Sequence, residues 1–181
     1  MKFLKYALLA STLIFASCSD DDDNTPEPVN EEEVITTLTV TLESGSDTVV
    51  MQYQDLDGDG PDAATVTVSG SLNANTVYDG SIVLLNETES PAENITEEVE
   101  EEDDEHQFFY TAGSGLDVGT SYANFDGDGN PLGTQFILET GMPSSGGLTF
   151  TLRHEPNKPN TGLENAGGET DIEVTFDVTV E

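Results

Sequence analysis

The sequence predicts an all-β protein, an antiparallel immunoglobulin-like β-sandwich, with a jelly roll or a small barrel as the alternative. From residue 34 onward, apolar residues recur at every second position in segments rich in Thr, Val and aromatic residues. Gly, Asp, Asn and Pro interrupt these segments roughly every eight to twelve residues, which is typical of strands joined by short turns. Rows of threonine indicate strands with one face in water. We expect about eight or nine strands in a single domain.

In seven segments, apolar and polar residues alternate, and each segment has one apolar face. The segment SIVLLNE, residues 81–87, is apolar on both faces, which predicts a more central strand. Residues 94–107 are the best helical candidate, because Ile95 and Val99 are four apart; a short helix and a solvated acidic loop are both open. The residues on the apolar faces are Leu38, Val40, Leu42; Val49, Met51, Tyr53; Ala64, Val66, Val68; Phe108, Tyr110; Phe136, Leu138; Leu148, Phe150, Leu152; and Ile172, Val174, Phe176, Val178, Val180.

Acidic residues dominate the composition. The chain has 181 residues with 4 Lys or Arg and 37 Asp or Glu, a formal net charge of −33. Such a charge repels duplex nucleic acid and anionic lipid headgroups, so we expect no nucleic-acid partner. Cations, cationic surfaces and neutral glycans remain candidate partners. Self-repulsion also opposes compaction, so salt or a bound metal ion is expected to favour folding.

The first 33 residues predict export and a tether rather than folded structure. Residues 1–17 carry Lys2 and Lys5 and then an apolar run from Tyr6 to Ala16, which has the layout of a signal peptide and is too short to span a bilayer. Residues 18–33 begin with Cys18 and continue as an acidic, proline-containing tether that we expect to be disordered. The single β-sandwich domain is assigned to residues 34–181. One cysteine excludes an internal disulfide.

The stretch around the cysteine resembles a bacterial lipoprotein signal. Phe15-Ala16-Ser17-Cys18 is similar to a lipobox, with Phe where Leu is usual and Ser where Gly or Ala is usual. The following SDDDD, with Asp20–Asp23, resembles the export signal of surface lipoproteins in Bacteroidota. The resemblance implies acylation of Cys18 and an outer-membrane lipid anchor at the cell surface, with the periplasmic face as the alternative. Several acyl chains on one residue give stable anchoring.

Two longer stretches are similar to a group of flavobacterial lipoproteins often labelled type 1 periplasmic binding fold superfamily proteins. They are EHQFFYTAGSGLDVG, residues 105–119, and TLRHEPNKPNTGLENAGGETDIEVTFDV, residues 151–178. The resemblance covers most of the chain after residue 34. A two-lobed periplasmic binding protein is built from repeated βαβ units in a longer chain. The periodicity here predicts a sandwich instead.

The loop DLDGDGPD, residues 55–62, has the spacing of a calcium loop. Asp55, Asp57 and Asp59 precede Gly60, and oxygen ligands at alternate positions converge on one ion when glycine permits a sharp turn. The twelfth position is Val66 rather than a glutamate, and the flanks are strands. The alternative is a hairpin turn without metal, since Asp-Gly is a preferred turn dipeptide.

A second loop, DGDGN, residues 126–130, keeps the same alternate spacing. Asp126, Asp128 and Asn130 are the candidate ligands, and Pro131 stands where the glycine would follow. The same two interpretations apply, a Ca²⁺ site or a turn only. The sequence therefore predicts Ca²⁺ as the candidate cofactor, with six candidate ligands in two loops.

A few other residues carry weaker chemical signals. Arg153 and Lys158 are expected to pair with acids on neighbouring strands, with a polar ligand-binding rim as the alternative. His106 and His154, each beside a Glu, could meet as a transition-metal site. The triplet DTV at residues 47–49 resembles the short O-glycosylation acceptor of Bacteroidota, with Thr48 as the acceptor.

The sequence contains no catalytic motif that we can assign. No serine lies in G-x-S-x-G, and there is neither a phosphate loop nor a dinucleotide fingerprint. We therefore expect a non-catalytic binding or adhesion module, Ca²⁺-stabilised, on an outer-membrane lipoprotein, with a glycan, peptide or protein ligand. The alternative is an accessory or solute-binding component of a sugar or peptide uptake system. A concave face bearing Phe108, Phe109 and Tyr110 would favour that alternative.

Overall fold

A computed structural model of the protein describes residues 33–58 and 60–181. These residues form nine strands and two short helices. The predicted signal peptide, Cys18, the aspartates 20–23 and most of the tether lie outside the described residues. The elements in chain order are β1 Thr37–Ser44, β2 Asp47–Gln54, β3 Thr65–Val68, β4 Val77–Leu85, α1 Ile95–Glu101, β5 His106–Ala112, β6 Val118–Tyr122, β7 Gln135–Thr140, β8 Ser144–His154, α2 Leu163–Ala166 and β9 Glu169–Val180.

The strands form two antiparallel sheets, which confirms the predicted all-β sandwich. The large sheet has six strands in the order β3-β2-β1-β4-β7-β6, and the small sheet has three in the order β5-β8-β9. Every neighbouring pair is antiparallel. Both sheets are open in strand order, with β3 and β6 at the edges of one and β5 and β9 at the edges of the other.

One hydrophobic core fills the space between the two sheets. The apolar residues of β1 and β9 alternate strictly, so every second side chain is buried from Leu38 to Leu42 and from Ile172 to Val180. Tyr110 of β5 lies across from Phe136 of β7 with ring centroids 4.6 Å apart, and Phe150 of β8 meets Phe136 edge to face at 5.7 Å. These contacts join the two sheets directly. Each fully buried Leu or Phe contributes roughly 1.5–3 kcal/mol through removal of apolar surface from water.

Strand β4 occupies the predicted central position, between β1 and β7, but one of its faces is wet. Ile82 and Leu84 are buried, whereas Val83 between them is 42% exposed. The small sheet covers only one face of the large sheet, so an apolar residue in the other phase meets water. Val66 has a different reason: it shares the face of Val68, which packs against the core, but it lies on the short edge strand β3 and is 48% exposed.

The less regular segments give one difference and one confirmation. Strand β6, with the sequence VGTSY, lacks an apolar alternation and was not predicted; its pairing with β7 rests on the backbone. Helix α1 confirms the helical alternative for residues 94–107, and it buries Ile95 and Val99 on one face. Among the described residues, no helix combines the length and the apolar character needed to cross a bilayer.

Candidate metal centre

Two histidines meet at one end of the small sheet. His106 is the first residue of β5 and His154 the last of β8, and the strand register places them directly opposite each other. Their rings stack with centroids 4.6 Å apart. His154 continues the inward phase of Leu152, so it turns toward the interior, and both histidines are buried. The strand pairing therefore brings together two imidazoles that are 48 positions apart in the chain.

Asp171 joins the histidines from β9 because the pairing of β8 with β9 is irregular there. Leu152 pairs with Ile172, whereas the next residue, Arg153, pairs with Thr170. Asp171 is thus the extra residue of a β-bulge, a feature that re-aims a side chain relative to the regular alternation. Its carboxylate lies 4.0 Å from His106 Nε2 and 3.8 Å from His154 Nδ1.

The fourth member is Glu33, which the sequence analysis had assigned to the tether. Its Oε1 lies 2.9 Å from His106 Nε2, and its Oε2 lies 3.6 Å from His154 Nδ1. The side chain is only 5% exposed. The Glu33 side chain therefore contacts residues of β5 and β8. We call these four residues, Glu33, His106, His154 and Asp171, the metal cluster.

The metal cluster has the dimensions of a cation site. One ligand atom from each residue lies within 4.8 Å of all the others, and the closest approaches run from 2.9 to 4.0 Å. Ligands bound tetrahedrally to zinc at roughly 2.0–2.2 Å lie about 3.4 Å apart. Side-chain exposures of 0% for His106, 5% for Glu33 and His154 and 2% for Asp171 make the centre a closed one.

Hydrogen bonding fixes which nitrogen of His106 faces the cluster. His106 Nδ1 lies 3.2 Å from the carbonyl oxygen of Glu102, which can only accept, so Nδ1 carries a hydrogen and donates it. In the neutral ring, Nε2 then presents a lone pair toward Glu33 Oε1 at 2.9 Å. Two acceptors at this distance repel, so a positive species must lie between them. That species is either a proton on the imidazole or a metal ion.

The pKa shifts of His106 and Glu33 also favour a positive charge between the two side chains. Burial lowers the pKa of His106, but the hydrogen bond and charge of Glu33, together with Glu102 and Asp171, outweigh burial and leave the pKa raised. Burial raises the pKa of Glu33, but the hydrogen bond with His106 outweighs it and leaves the pKa lowered. Both shifts mean that this site favours positive charge beside the carboxylates.

Acidic residues outside the metal cluster add to the negative field. Burial, and then repulsion by Glu93 and Glu102, raises the pKa of the Glu98 carboxyl on helix α1. Glu105 Oε2 lies 3.8 Å from His154 Nε2, on the side of the ring away from the cluster. A site surrounded by one sign of charge concentrates counter-ions, here cations.

The donor set selects among metals. Two imidazole nitrogens and two carboxylates suit Zn²⁺ and related divalent transition metals. Ca²⁺ prefers six to eight oxygen ligands, so the metal cluster is a poor calcium site. The histidine half of this centre was foreseen from the sequence as a pair that could meet. Glu33 and Asp171 were missed because nothing distinguishes them among 37 acidic residues.

The first predicted calcium loop is arranged as a turn in its described part. Asp57 Oδ2 accepts a hydrogen bond from the amide of Asp62 at 3.2 Å, and the Asp57 carbonyl accepts from the Gly60 amide at 3.0 Å. Asp55 accepts from the Tyr53 hydroxyl at 3.3 Å. Asp59 lies outside the described residues. Ca²⁺ at Asp55, Asp57 and Asp59 stays a prediction.

In the second loop, the ammonium group of Lys158 provides a positive charge beside the Asp126 carboxylate. Asp126 Oδ1 accepts from the amides of Asp128 at 3.0 Å and Asn130 at 2.7 Å, and its Oδ2 lies 3.3 Å from Lys158 Nζ. Burial raises the pKa of Asp126, but the bonds from Asn130 and Lys158 outweigh burial and leave the pKa lowered. Lys158 Nζ also donates to the Asp103 carbonyl. Ca²⁺ at Asp126, Asp128 and Asn130 stays a prediction, and it would compete with this lysine.

Two other residues singled out from the sequence, Arg153 and Thr48, contribute no ligand atom to the metal cluster. The guanidinium of Arg153 donates to the Gly168 carbonyl at 3.3 Å and to the Thr170 hydroxyl at 2.7 Å. Thr48 lies on β2 opposite Glu43 with its side chain exposed, and its glycosylation stays a prediction.

Comparison with known proteins returned no match to any family model, curated protein or solved structure.

Proposed function

We propose that the protein is an outer-membrane, surface-exposed lipoprotein whose β-sandwich is a non-catalytic binding or adhesion module, closed by one divalent transition-metal ion, Zn²⁺ by preference. The metal cluster carries this proposal, because four buried ligand atoms converge within 4.8 Å and two of them are histidine nitrogens. The anchor at Cys18 rests on the resemblance of the N-terminal segment to lipoprotein signals.

The centre fits a structural role better than a catalytic one. Catalytic zinc sites keep an open position for water or substrate beside three protein ligands, whereas structural sites are closed by four. All four side chains of the metal cluster are almost fully buried. A substrate would have to displace one ligand to reach the ion, so we assign the metal to stabilisation of the fold.

Charge balance supports occupancy by one divalent ion. Glu33 and Asp171 bring two carboxylates into a buried site, where negative charge is tolerated only when it is paired or bound to a metal. Two neutral imidazoles leave the metal cluster at −2, which one divalent cation cancels. The chain after residue 33 has only Arg153 and Lys158 as permanent cations, and Lys158 lies beside Asp126.

Calcium remains our proposal for the oxygen-only loop at residues 55–62. Asp55 Oδ1 is buried and accepts no hydrogen bond among the described residues, and this oxygen supports the proposal. The two ions are thus separated by donor chemistry: nitrogen with oxygen for Zn²⁺, oxygen alone for Ca²⁺.

Metal titration of the full chain tests the proposal. We expect Zn²⁺ to bind with one equivalent and, at about 100-fold excess over its dissociation constant, to stabilise the fold by about 2.7 kcal/mol. For a domain of this size, that corresponds to a rise in melting temperature of roughly 5–10 °C. His154→Ala should abolish the rise. The control is Asn73→Ala, a residue outside the metal cluster whose side chain bonds Asp47.

A melting temperature that does not respond to Zn²⁺ in the wild-type chain would overturn the metal assignment. Ca²⁺ is titrated in parallel, and a rise that survives in His154→Ala assigns that ion to a site other than the metal cluster. Absence of any calcium response up to millimolar concentration would remove the calcium proposal.

Location is tested separately. Replacing the aspartates 20–23 by alanine should abolish labelling of the protein on intact cells while Cys18 still retains it in the membrane fraction. Surface labelling that is unchanged in the alanine variant would contradict the proposed export signal.

The packing of the aromatic residues favours the binding module over the solute-binding alternative. Phe108 and Phe109 are buried, and Tyr110 packs against the core with its hydroxyl donating to the Gly133 carbonyl. The residues expected to line a concave solute site are therefore part of the interior. A ligand of the module is then recognised at the exposed surface.

A further inference from the structure

One ligand of the metal cluster differs from the other three in how it is held. Glu33 precedes β1 and belongs to the chain that enters the large sheet. Three residues later, Thr36 is fastened to that sheet: its amide donates to the Leu85 carbonyl at 3.0 Å, and its carbonyl accepts from the Asp55 amide at 2.8 Å. The Glu33 side chain, by contrast, reaches residues of the small sheet. It therefore spans the two sheets.

The three other ligands are prearranged by strand pairing. His106 and His154 face each other across β5 and β8, and Asp171 lies in β9 at the bulge opposite β8. Each strand is hydrogen-bonded over seven or more residue pairs. These three side chains remain together whenever the small sheet is formed, with or without a metal ion.

Among the described residues, the Glu33 side chain makes its ion-pair contacts with the two histidines of the metal cluster. It lies in neither a strand nor a helix, and the next residue, Val34, is 55% exposed. Its carboxylate contacts both histidines, one with each oxygen, and Oε2 is a buried oxygen that accepts no hydrogen bond among the described residues. A buried carboxylate oxygen beside an imidazole nitrogen is satisfied by an N–H of the ring or by a cation bound to both groups.

We infer that Glu33 is the closing ligand of the metal centre: it binds last, leaves first, and, when both histidines are neutral, the metal fastens the chain that enters β1 to the small sheet through Glu33. This inference rests on the proposed metal function and adds a route for exchange. Release of Glu33 converts a closed four-ligand site into an open three-ligand site, through which the ion enters and leaves.

The same arrangement makes the metal a cross-link between the two sheets. Immunoglobulin-type sandwiches commonly join their sheets through a disulfide. This chain has one cysteine and cannot form an internal one. Here the Glu33 ligand comes from the chain that continues into β1, and the other ligands come from β5, β8 and β9. The ion thus ties the large sheet to the small sheet at one end of the sandwich.

The test compares Glu33→Gln with Glu89→Gln in the full chain. Both changes remove one carboxylate, but Glu89 is exposed and lies outside the metal cluster. Zn²⁺ affinity is measured by competition with a chromophoric chelator, and the release rate by mixing the loaded protein with excess chelator. We expect Glu33→Gln to release zinc at least about tenfold faster, while still binding one equivalent, and Glu89→Gln to match the wild type.

Amide hydrogen exchange of the wild-type chain gives an independent measurement. Zinc should slow exchange at Val34 and Ile35 by at least about tenfold, and it should change the amides in the middle of β8 much less. In Glu33→Gln, the zinc-dependent protection at Val34 and Ile35 should disappear.

The outcomes separate the two proposals. Failure of the wild-type chain to bind zinc overturns the proposed metal function and this inference with it. The wild-type chain could bind zinc while Glu33→Gln changes neither the rate of zinc release nor the amide exchange. That result supports the metal function and overturns the proposed role of Glu33. Loss of binding in His154→Ala but retention with fast release in Glu33→Gln supports both.

Discussion

Two sites in this molecule bury carboxylates, and different cations compensate their negative charge. At the turn of residues 126–130, the carboxylate of Asp126 meets backbone amides, the Asn130 side chain and the ammonium group of Lys158. At the metal cluster, two carboxylates meet two imidazoles, which are cationic only when protonated. The first site carries a permanent cation within the chain. The second must take up protons or a metal ion.

The difference follows from the composition. A chain with 37 acidic and 4 basic residues, two of them in the first five positions, has few cations to place beside buried carboxylates. Lys158 is used at Asp126, and Arg153 donates to a carbonyl and a hydroxyl. Histidine is the remaining side chain that can accept positive charge or bind a metal that brings it. Strong acidity therefore makes external cations part of the folding chemistry of this domain.

The largest effect is expected from removing the internal cation. Lys158→Met leaves the buried carboxylate of Asp126 without its ammonium partner, and breaking a buried pair in this way costs about 3 kcal/mol or more. Thermal melting should show a drop of roughly 10 °C. The double variant Lys158→Met with Asp126→Asn should recover much of it, because the neutral amide still accepts from the loop. A double variant that melts no higher than Lys158→Met would contradict this account.

A somewhat smaller effect should follow from pH, with opposite signs for the metal-free and zinc-loaded forms. The pKa of His106 is raised in the folded state, chiefly by Glu33 acting against burial. Its stabilising effect in the metal-free form is therefore complete below the unfolded value, about 6.5, and is lost as pH rises through the folded value. Zinc requires the neutral ring, so zinc stabilisation grows over the same range.

Melting curves from about pH 5.5 to 8.5, with and without zinc, measure this contrast. The zinc-induced stabilisation should approach the full figure of about 2.7 kcal/mol, at 100-fold excess over the dissociation constant, only at the alkaline end. His106→Asn should flatten both profiles. A zinc effect that is equal at both ends of the range would contradict competition between protons and metal.

The smallest effect is expected at Glu105, which faces the outer nitrogen of His154. Its side chain is 52% exposed and 3.8 Å from His154 Nε2, so solvent screens the interaction. Glu105→Gln should change zinc affinity by less than about fivefold, that is by less than about 1 kcal/mol. The chelator competition used for Glu33→Gln measures both. If Glu105→Gln weakens binding as much as Glu33→Gln does, the distinction between a ligand and an outer neighbour fails.

Periodicity predicted the fold well because it reports burial directly. The inward residues of β1, β8 and β9 were identified from alternation alone, since each of these strands has one face against the core. Alternation failed where burial is slight: Val66 lies on an edge strand and is half exposed, and β6, with the sequence VGTSY, has no apolar alternation. Strands β3 and β6 are held mainly by backbone pairing with β2 and β7, which leaves little pattern in their side chains.

The metal cluster could be predicted only in part. The chain has only two histidines, His106 and His154, so a site formed by both could be predicted from the sequence. Asp171 reaches them through a bulge, and a one-residue shift in pairing is invisible in a sequence whose alternation continues on both sides. The sequence before and including Glu33 is that of an acidic tether, whereas its side chain contacts His106 and His154 of the domain. In so acidic a chain, the residue type alone says nothing about which carboxylate is buried.

The position of Glu33 also decides where mechanical load enters the domain. If the chain is anchored at Cys18 and the module grips a partner, tension arrives through residue 33 and runs into β1, an interior strand of the large sheet. With a metal ion in place, part of that tension passes through Glu33 to β5, β8 and β9 before it reaches β1. The ion would then transfer part of the load to the small sheet and reduce the force that acts on β1.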